Sequence, residues 1–316
     1  MTRFVASRVL QAVPLLFFIS VLVFALIHAA PGGPLEMYLA NPNVRPEDIE
    51  RLRVALGLDR PLTGQYFAWI RGFVVGEWGY SYSDGRPVLE RLVERLPATL
   101  ELIAGAIVIA AVVALPLGVF GALRRGSWID HGTTVVSFAG ISLPVFWVGL
   151  VLQLVFAVGL EWLPSSGRSS FGDSGFLDRV SHLIMPATVL AVVHAAVWSR
   201  FLRSSMGTVL RERFILAARA RGVRERSVVW RHALRNALLP FVTVLLMDAA
   251  IMVTGAVITE SVFAWPGLGS LFTEALGRRD YTVLMAFLMM TSVAVVTLNL
   301  VADVLYHTLD PRVRVS

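Results

Sequence analysis

Long apolar runs alternate with polar segments along the chain, and this alternation predicts a membrane protein built of helices. Each run has about 20 or more residues, enough to cross the roughly 30 Å hydrocarbon core of a bilayer as an α-helix. The runs are 9–30, 98–123, 133–160, 183–202, 238–262 and 282–305. We therefore predict an all-α membrane protein with six transmembrane helices. A cleaved signal peptide is the alternative for the first run, but its apolar core ordinarily has only about 7–15 residues.

The polar segment between the first two runs, residues 31–97, is predicted to fold rather than to form an unstructured loop. It begins with Pro31-Gly-Gly-Pro34, which should end the first helix. Two of its stretches, 46–57 and 61–74, each follow an arginine and begin with a proline, which suits the first turn of a helix. Both carry apolar residues at three- and four-residue spacing. We expect a small extracytoplasmic helical subdomain, which either contacts a docking partner or packs on the spans as a cap.

The distribution of arginine predicts how the chain is oriented in the membrane. Six spans place both termini on one side, which carries 16 of the 28 arginines and four acids, whereas the other side carries 12 arginines and 16 acids. Because cytoplasmic loops are enriched in basic residues, both termini are predicted to be cytoplasmic. The expected parts are residues 1–30 (cytoplasmic N-terminus and first span), the subdomain 31–97, and a transmembrane core 98–316 with a cytoplasmic loop at about 208–240.

Composition narrows the functional classes. The chain is 56% apolar and 16% charged, with a mean hydropathy of +0.70, whereas an ordinary soluble domain is about 25% charged. It contains no cysteine, which excludes disulfides, thiolate metal sites and cysteine nucleophiles. It also contains no lysine, so it lacks the residue that a standard phosphate-binding loop requires. Any ATP-driven work must therefore use a partner protein.

The most informative polar stretch, Phe214–Pro240, lies between the fourth and fifth runs. It contains a single acid, Glu225, and six arginines: Arg219, Arg221, Arg224, Arg226, Arg231 and Arg235. Gly222 divides it into two pieces with apolar residues at helical spacing. Glycine permits a sharp turn there, and a larger side chain is expected to fill the corner between the pieces. A helix that is both basic and apolar binds another protein or lipid headgroups.

This stretch resembles the cytoplasmic coupling loop of ABC-importer permeases, whose Ala-Ala-x-x-x-Gly pattern matches Ala217, Ala218 and Gly222. The sequence HALRNALLP at 232–240 is similar to that of the dipeptide, oligopeptide and nickel permeases. Leu216 stands where the wider superfamily has Glu, and this departure resembles the peptide branch. Further stretches carry the resemblance: PGGP at 31–34, RRGSWIDH at 124–131 and ITESVFAWPGLG at 258–269.

The resemblance implies the type I ABC importer permease fold and a non-catalytic subunit of a bacterial inner (plasma) membrane transporter. The implied partners are a second homologous permease, two ABC ATPase subunits that bind ATP and Mg²⁺, and an extracytoplasmic peptide-binding protein. No cofactor of its own and no nucleic acid is expected. The residues implied to contact the ATPases are Ala217, Ala218, Gly222, Arg224, Arg226, Arg231, His232, Arg235 and Asn236.

Two ionisable residues are predicted to lie deep inside the spans. At 1.5 Å per residue, Asp248 is roughly 12 Å into the fifth span, and His194 is roughly 16 Å into the fourth span from the other side. Ionisable groups at such depth are expensive and usually functional. Either the two form a polar patch in the translocation path that meets a peptide amine or amide, or Asp248 is a structural group satisfied by His194, Thr243, Thr254 or a neighbouring subunit.

The predicted function is ATP-driven import of dipeptides or oligopeptides by alternating access, with this chain forming part of the path. One alternative is a permease of the same family for nickel or another small solute. A second is a self-sufficient secondary transporter in which Asp248 carries the coupling proton. An intramembrane enzyme is a third class, but no residue pattern resembles a catalytic triad, and no histidine cluster has the spacing of a metal site.

Overall fold

The structure is a computed structural model that describes residues 2–29, 45–55, 57–172 and 175–309. These residues form helices and turns, with no named strand among them. In chain order the helices are α1 (Thr2–Ala29), α2 (Pro46–Ala55), α3 (Leu62–Val75), α4 (Val88–Leu123), α5 (Trp128–Ser142), α6 (Val145–Leu152), α7 (Phe176–Val209), α8 (Arg213–Ala220), α9 (Glu225–Ser227), α10 (Leu234–Val262), α11 (Leu268–Gly277) and α12 (Tyr281–Leu309). Two π-helical stretches, Gln153–Gly159 and Val228–Ala233, follow α6 and α9.

Within the described residues, five helices are long and apolar enough to cross a membrane, and a bent pair supplies a sixth crossing if it counts as one span. The predicted third span, 133–160, is not one continuous helix in the structure. Its residues form α5 and α6, which are bent by 100° at the break between Ser142 and Val145. The cause is Pro144, which lacks an amide hydrogen and disfavours helical backbone at the preceding residue. Leu143 is accordingly extended, with φ −86° and ψ 133°.

The bounds of α2, α3 and α4 can be compared with those predicted from the sequence. The predicted helical stretches 46–57 and 61–74 are confirmed as α2 and α3. The second span was predicted to begin at Ala98, but α4 begins ten residues earlier. Val88 and Leu92 are fully buried on this added part, so packing extends the helix beyond the apolar run. The predicted stop at Pro31–Pro34 and the basic C-terminal residues lie outside the described part of the chain.

The chain folds as two compact units. The first comprises Met1–Pro97 and Ser270–Val296. In it, Phe24 of α1 packs with Met285 of α12, and Tyr66 and Trp69 of α3 lie against this cluster. Ser20 of α1 and the Tyr66 hydroxyl share a hydrogen bond of 2.8 Å. Helix α3 of the polar subdomain therefore packs on the first span.

A buried ionic cluster ties the segment before α4 to the start of α12 in this first unit. The Asp280 carboxylate is fully buried and lies 3.9 Å from the Arg91 guanidinium, which is itself 9% exposed. It accepts hydrogen bonds from the Ser81 hydroxyl and from the Val283 amide, so it also caps the N-terminus of α12. Arg91 donates to the Ser81 hydroxyl at 2.8 Å. We call Asp280, Arg91 and Ser81 the ionic cluster.

The second unit comprises Ala98–Gly269 and Thr297–Ser316, and its core is built from α4, α7 and α10. Along α4 a row of small residues spaced by four, Ala106, Ala110 and Ala114, is fully buried. Gly118 continues the row, and a Cβ there would lie 2.8 Å from the Cβ of Leu202 on α7. Small residues let helices approach closely in a membrane, where close packing replaces the hydrophobic effect as the main attraction.

Candidate functional site

The turn at Gly222 closes helix α8 with two specific backbone hydrogen bonds. The Val223 amide donates to the Ala218 carbonyl, and the Gly222 amide donates to the Arg219 carbonyl. Gly222 has a φ of +73°, so the turn is a Schellman motif in which glycine occupies the left-handed position. The predicted division into two helical pieces is confirmed. The expectation that a side chain would fill the corner was wrong, because nothing lies within 4 Å of a Cβ placed on Gly222.

The first piece presents an apolar and basic surface to its surroundings. Ala217 is exposed, whereas Ala218 is buried within this chain, so only the first of the two predicted alanines is open to a partner. Leu216 is 55% exposed, and Phe214 is exposed beside it. Large apolar side chains are thus exposed next to arginines. We call the exposed side chains of residues 214–236 the coupling surface.

The second piece is attached firmly to a membrane span. Val228, Val229 and Ala233 of the π-helical stretch are buried in the core of the second unit. The helical path runs without a break from Glu225 to Val262, over 38 residues. The outward residues are Arg224, Arg226, Arg231, Arg235 and Asn236, with His232 half-buried among them. These side chains therefore lie on, or directly before, the helical path that continues as α10.

An ion pair bridges the two pieces across the turn. The Arg219 guanidinium donates two hydrogen bonds to the Glu225 carboxylate, one of them at 3.1 Å. These bonds raise the pKa of Arg219 above its ordinary value, so the pair is charged at neutral pH. Glu225, the single acid of the stretch, is thus engaged within the chain. No other arginine of the coupling surface forms an ion pair with a residue in the described ranges.

The two predicted intramembrane groups do meet, and they share a third partner. The Nδ1 atom of His194 on α7 lies 3.4 Å from the Oδ2 atom of Asp248 on α10. The indole of Trp198 donates a hydrogen bond of 2.7 Å to the same oxygen. Trp198 is fully buried, whereas the Asp248 side chain keeps 18% of its surface exposed. Sequence reasoning missed Trp198, although its position four residues after His194 places it on the same helix face.

Sequence reasoning also missed Glu260, a buried acid near the end of α10. It is fully buried, and the Thr99 hydroxyl donates a 2.6 Å hydrogen bond to its carboxylate. The Leu268 amide in turn donates to the Thr99 hydroxyl at 2.8 Å. A Cβ on Gly267 would overlap the carboxylate of Glu260, and a Cβ on Gly269 would overlap the backbone of α10. The stretch ITESVFAWPGLG therefore encodes an acid and the glycine turn that encloses it.

Two family models match this sequence along nearly its whole length. The N-terminal model of binding-protein-dependent transport system membrane components matches residues 1–103, and the model of the inner membrane component matches residues 114–315. The chain belongs to this family of inner membrane transport components. It is thus a multi-pass protein of the bacterial inner membrane, and the resemblance to ABC-importer permeases is confirmed.

Curated relatives of this permease align over almost their entire length. The oligopeptide transport system permease protein AppB of Bacillus subtilis is 39% identical, with 99% of each chain covered. The di/tripeptide transport system permease protein DppB of Pseudomonas aeruginosa is also 39% identical, with 99% of each chain covered. The glutathione transport system permease protein GsiC of Escherichia coli is 38% identical over 99% of each chain.

A solved structure matches the fold of this permease. It is titled as inward-facing conformations of the MetNI methionine ABC transporter, and it superposes with a TM-score of 0.57 at 19% identity. The match covers 71% of this permease and 99% of the other chain. The predicted type I importer permease fold is confirmed at this level. Among the residues that the structure describes, no group of three or more His, Asp or Glu side chains is placed to hold a metal ion.

Proposed function

We propose that this permease is the membrane subunit of an ATP-driven importer of short peptides. The observation that carries the proposal is the coupling surface, which is exposed, basic and continuous with the span α10. Relatives named for oligopeptides, di- and tripeptides and glutathione, at 38–39% identity, support peptides as the substrate class. A permease for nickel or another small solute remains the runner-up within the same family.

The proposed mechanism is alternating access driven through the Gly222 turn. Two ABC ATPases bind ATP and Mg²⁺, and one of them receives the coupling surface in an acidic groove. This permease contributes no catalytic residue and no cofactor. Ala217 and Gly222 allow close approach, and Arg224, Arg226, Arg231, Arg235 and Asn236 supply charge and hydrogen bonds, with His232 at the edge. Ala218 acts inside the chain, where it packs beneath the turn. Closure of the ATPases then moves the second piece and α10 together as a rigid body.

The proposal places both termini in the cytoplasm, and this orientation fixes the side of the membrane on which each remaining partner acts. A second homologous permease completes the translocation path, and an extracytoplasmic binding protein delivers peptide on the side of α2 and α3. The division into a first span, a helical subdomain and a transmembrane core is kept as part of this proposal. Nucleic acid has no place in the mechanism. The lipid bilayer surrounds the spans.

Reconstitution with and without partners tests the proposal. This permease alone, in proteoliposomes, is expected to hydrolyse no ATP, because it has no lysine for a phosphate-binding loop. With the second permease, the ATPases and the binding protein, it should take up a labelled dipeptide only when ATP is present. Hydrolysis by the purified subunit would contradict the proposal. Peptide uptake by the subunit alone, driven by a proton gradient, would instead favour a secondary transporter.

The pair of Asp248 and His194 is proposed to line the path. Asp248→Asn keeps the shape and can still accept the Trp198 hydrogen bond, but it removes the charge that would attract a peptide ammonium group. We expect uptake at low peptide concentration to fall about tenfold or more, which is the size of a hydrogen bond to a charged group. The measurement is initial uptake rate against peptide concentration in proteoliposomes.

Trp198→Phe is the matched control for this experiment. It removes a hydrogen bond from Asp248 and keeps the carboxylate charge, so its uptake should stay nearer to that of the unmodified permease. Equal loss of complex assembly in Asp248→Asn and His194→Ala would show that the pair is structural and would refute a role in the path.

A further inference from the structure

A cavity of about 660 Å³ lies at the ends of α4 and α7, beside the start of α8. Its wall carries five arginines and one acid, contributed by three separate segments of the second unit. They are Arg125, Arg200, Arg203, Arg211, Arg213 and Glu212. The cavity falls within the 300–1,000 Å³ range of small-molecule sites, and its lining favours an anion.

Three of these arginines have no side-chain partner in the part of the chain that the structure describes. Arg203 is used structurally, because it forms an ion pair of 2.7 Å with the buried Asp130. Arg125, Arg211 and Arg213 form no ion pair and no side-chain hydrogen bond with any residue in the described ranges. Like charges held around one cavity repel each other, so a bound anion lowers the electrostatic free energy of this cluster.

An apolar face leads from this cavity along α5. Arg200 lies 4.6 Å above the Phe138 ring and so connects the cavity to that helix. Trp128, Val135 and Phe138 are exposed at 83%, 67% and 52%, and their spacing of seven and three places them on one side of α5. Tryptophan is enriched where a span meets the headgroup layer. A ligand with a phosphate and hydrocarbon chains would satisfy both features.

We propose that this cavity binds the headgroup of an anionic phospholipid. The phosphate accepts hydrogen bonds from Arg125, Arg211 and Arg213, and the acyl chains lie against the apolar face of α5. Basic pockets at the ends of spans bind such headgroups. The inference rests on the proposed function only in placing the lipid in the cytoplasmic leaflet. A soluble partner would not explain why the apolar face continues from the cavity into the span.

The test counts lipids on the intact transporter complex. The complex is equilibrated with equimolar phosphatidylglycerol and phosphatidylcholine in mixed micelles, and the bound lipids are measured by native mass spectrometry. Phosphatidylglycerol should be retained in preference to phosphatidylcholine. The variant R125Q/R211Q/R213Q should lower that preference by at least about tenfold, given that each arginine near a membrane surface adds roughly fivefold.

The matched control is R45Q/R71Q/R179Q, which removes the same charge from exposed arginines on the other predicted side of the membrane. It should leave the lipid preference unchanged. Equal loss in both variants, or none in either, would overturn the proposal. Phe138→Ser, a single substitution on the apolar face, should be enough to weaken lipid retention. If millimolar inorganic phosphate displaces the lipid from the unmodified complex and Phe138→Ser has no effect, the site binds free anions and the lipid proposal fails.

Two further outcomes are decisive. If the triple variant loses its ATPases while its lipid preference is intact, the cavity is a protein docking site. If the triple variant does not assemble, the lipid preference is measured for Arg211→Gln and for the unmodified complex. Equal retention of both lipids by the unmodified complex refutes the proposal. Lipid counts require neither ATP nor peptide uptake, so a failure here is separate from a failure of the coupling mechanism.

Discussion

Replacing Gly222 by valine should abolish most peptide uptake and leave the spans inserted. The residue has a φ of +73°, which a β-branched side chain adopts only with strain. A strain of about 1–3 kcal/mol corresponds to a roughly 5- to 150-fold loss of the competent conformation. Because the corner is open, the cause is backbone strain and not crowding. The measurements are ATP-dependent uptake in proteoliposomes and co-purification of the ATPases.

Two controls isolate the turn. Gly222→Asn should retain most uptake, since asparagine tolerates the left-handed conformation. Gly172→Val imposes comparable strain at φ +83°, also in open space, but in the segment between α6 and α7, and it should leave coupling intact. Normal uptake together with normal co-purification in Gly222→Val would show that this turn does not couple ATP hydrolysis to transport.

Asp280→Ala is expected to destabilise the protein by about 1.5–3 kcal/mol, because it removes the buried carboxylate that accepts hydrogen bonds from Ser81 and Val283. Arg91 keeps two partly exposed acids, Asp84 at 3.4 Å and Glu274 at 3.9 Å. Arg91 lies 3.9 Å from Asp280, and the substitution also removes the carboxylate that caps α12. The expected result is a lower thermal unfolding midpoint of the detergent-purified permease, with loss of monodisperse protein at 37 °C. The effect is on folding and yield, and not on a step of transport.

Graded variants test the ionic cluster. Asp280→Asn can keep the cap through its amide oxygen, but it removes the charge beside Arg91 and replaces the oxygen that accepts from the Ser81 hydroxyl with an NH2 group. Its midpoint should therefore lie between those of the unmodified protein and Asp280→Ala. Glu94→Gln is the matched control, because it removes a carboxylate charge from an exposed ion pair with Arg86. Exposed pairs contribute little, so its midpoint should stay near that of the unmodified protein. Equal midpoints for all variants would refute the cluster's role.

Much of the architecture is readable from the sequence because membranes impose strong rules. Apolar runs locate the spans, and a glycine between two basic, periodic pieces locates the Gly222 turn. The depth argument that put Asp248 and His194 at one level is also confirmed by their 3.4 Å approach. These successes share a cause: each depends on spacing along one or two helices, which local sequence reports directly.

The misses depend on contacts between distant residues or on changes of direction. Hydropathy does not distinguish a straight span from a bent one. The break at Pro144 therefore could not be detected within the apolar run 133–160. Asp280 and Ser81 are 199 positions apart, and no local pattern joins them. Glu260 lies in a stretch used for family resemblance, yet its burial becomes evident only when Thr99 is brought to it by the fold.

The π-helical stretch Val228–Ala233 lies between the start of the second piece and α10. A π turn holds an extra residue compared with an α turn, and each residue of an α-helix turns the chain by about 100°. Deleting one buried residue here, such as Val229, would convert the π turn into an α turn and keep the direction of Arg224 and Arg226 relative to α10. The same deletion within α10 itself would rotate both arginines by about 100° relative to the rest of that helix. In evolutionary terms, this stretch is the place where the chain can lose one codon and keep the coupling surface facing the same way.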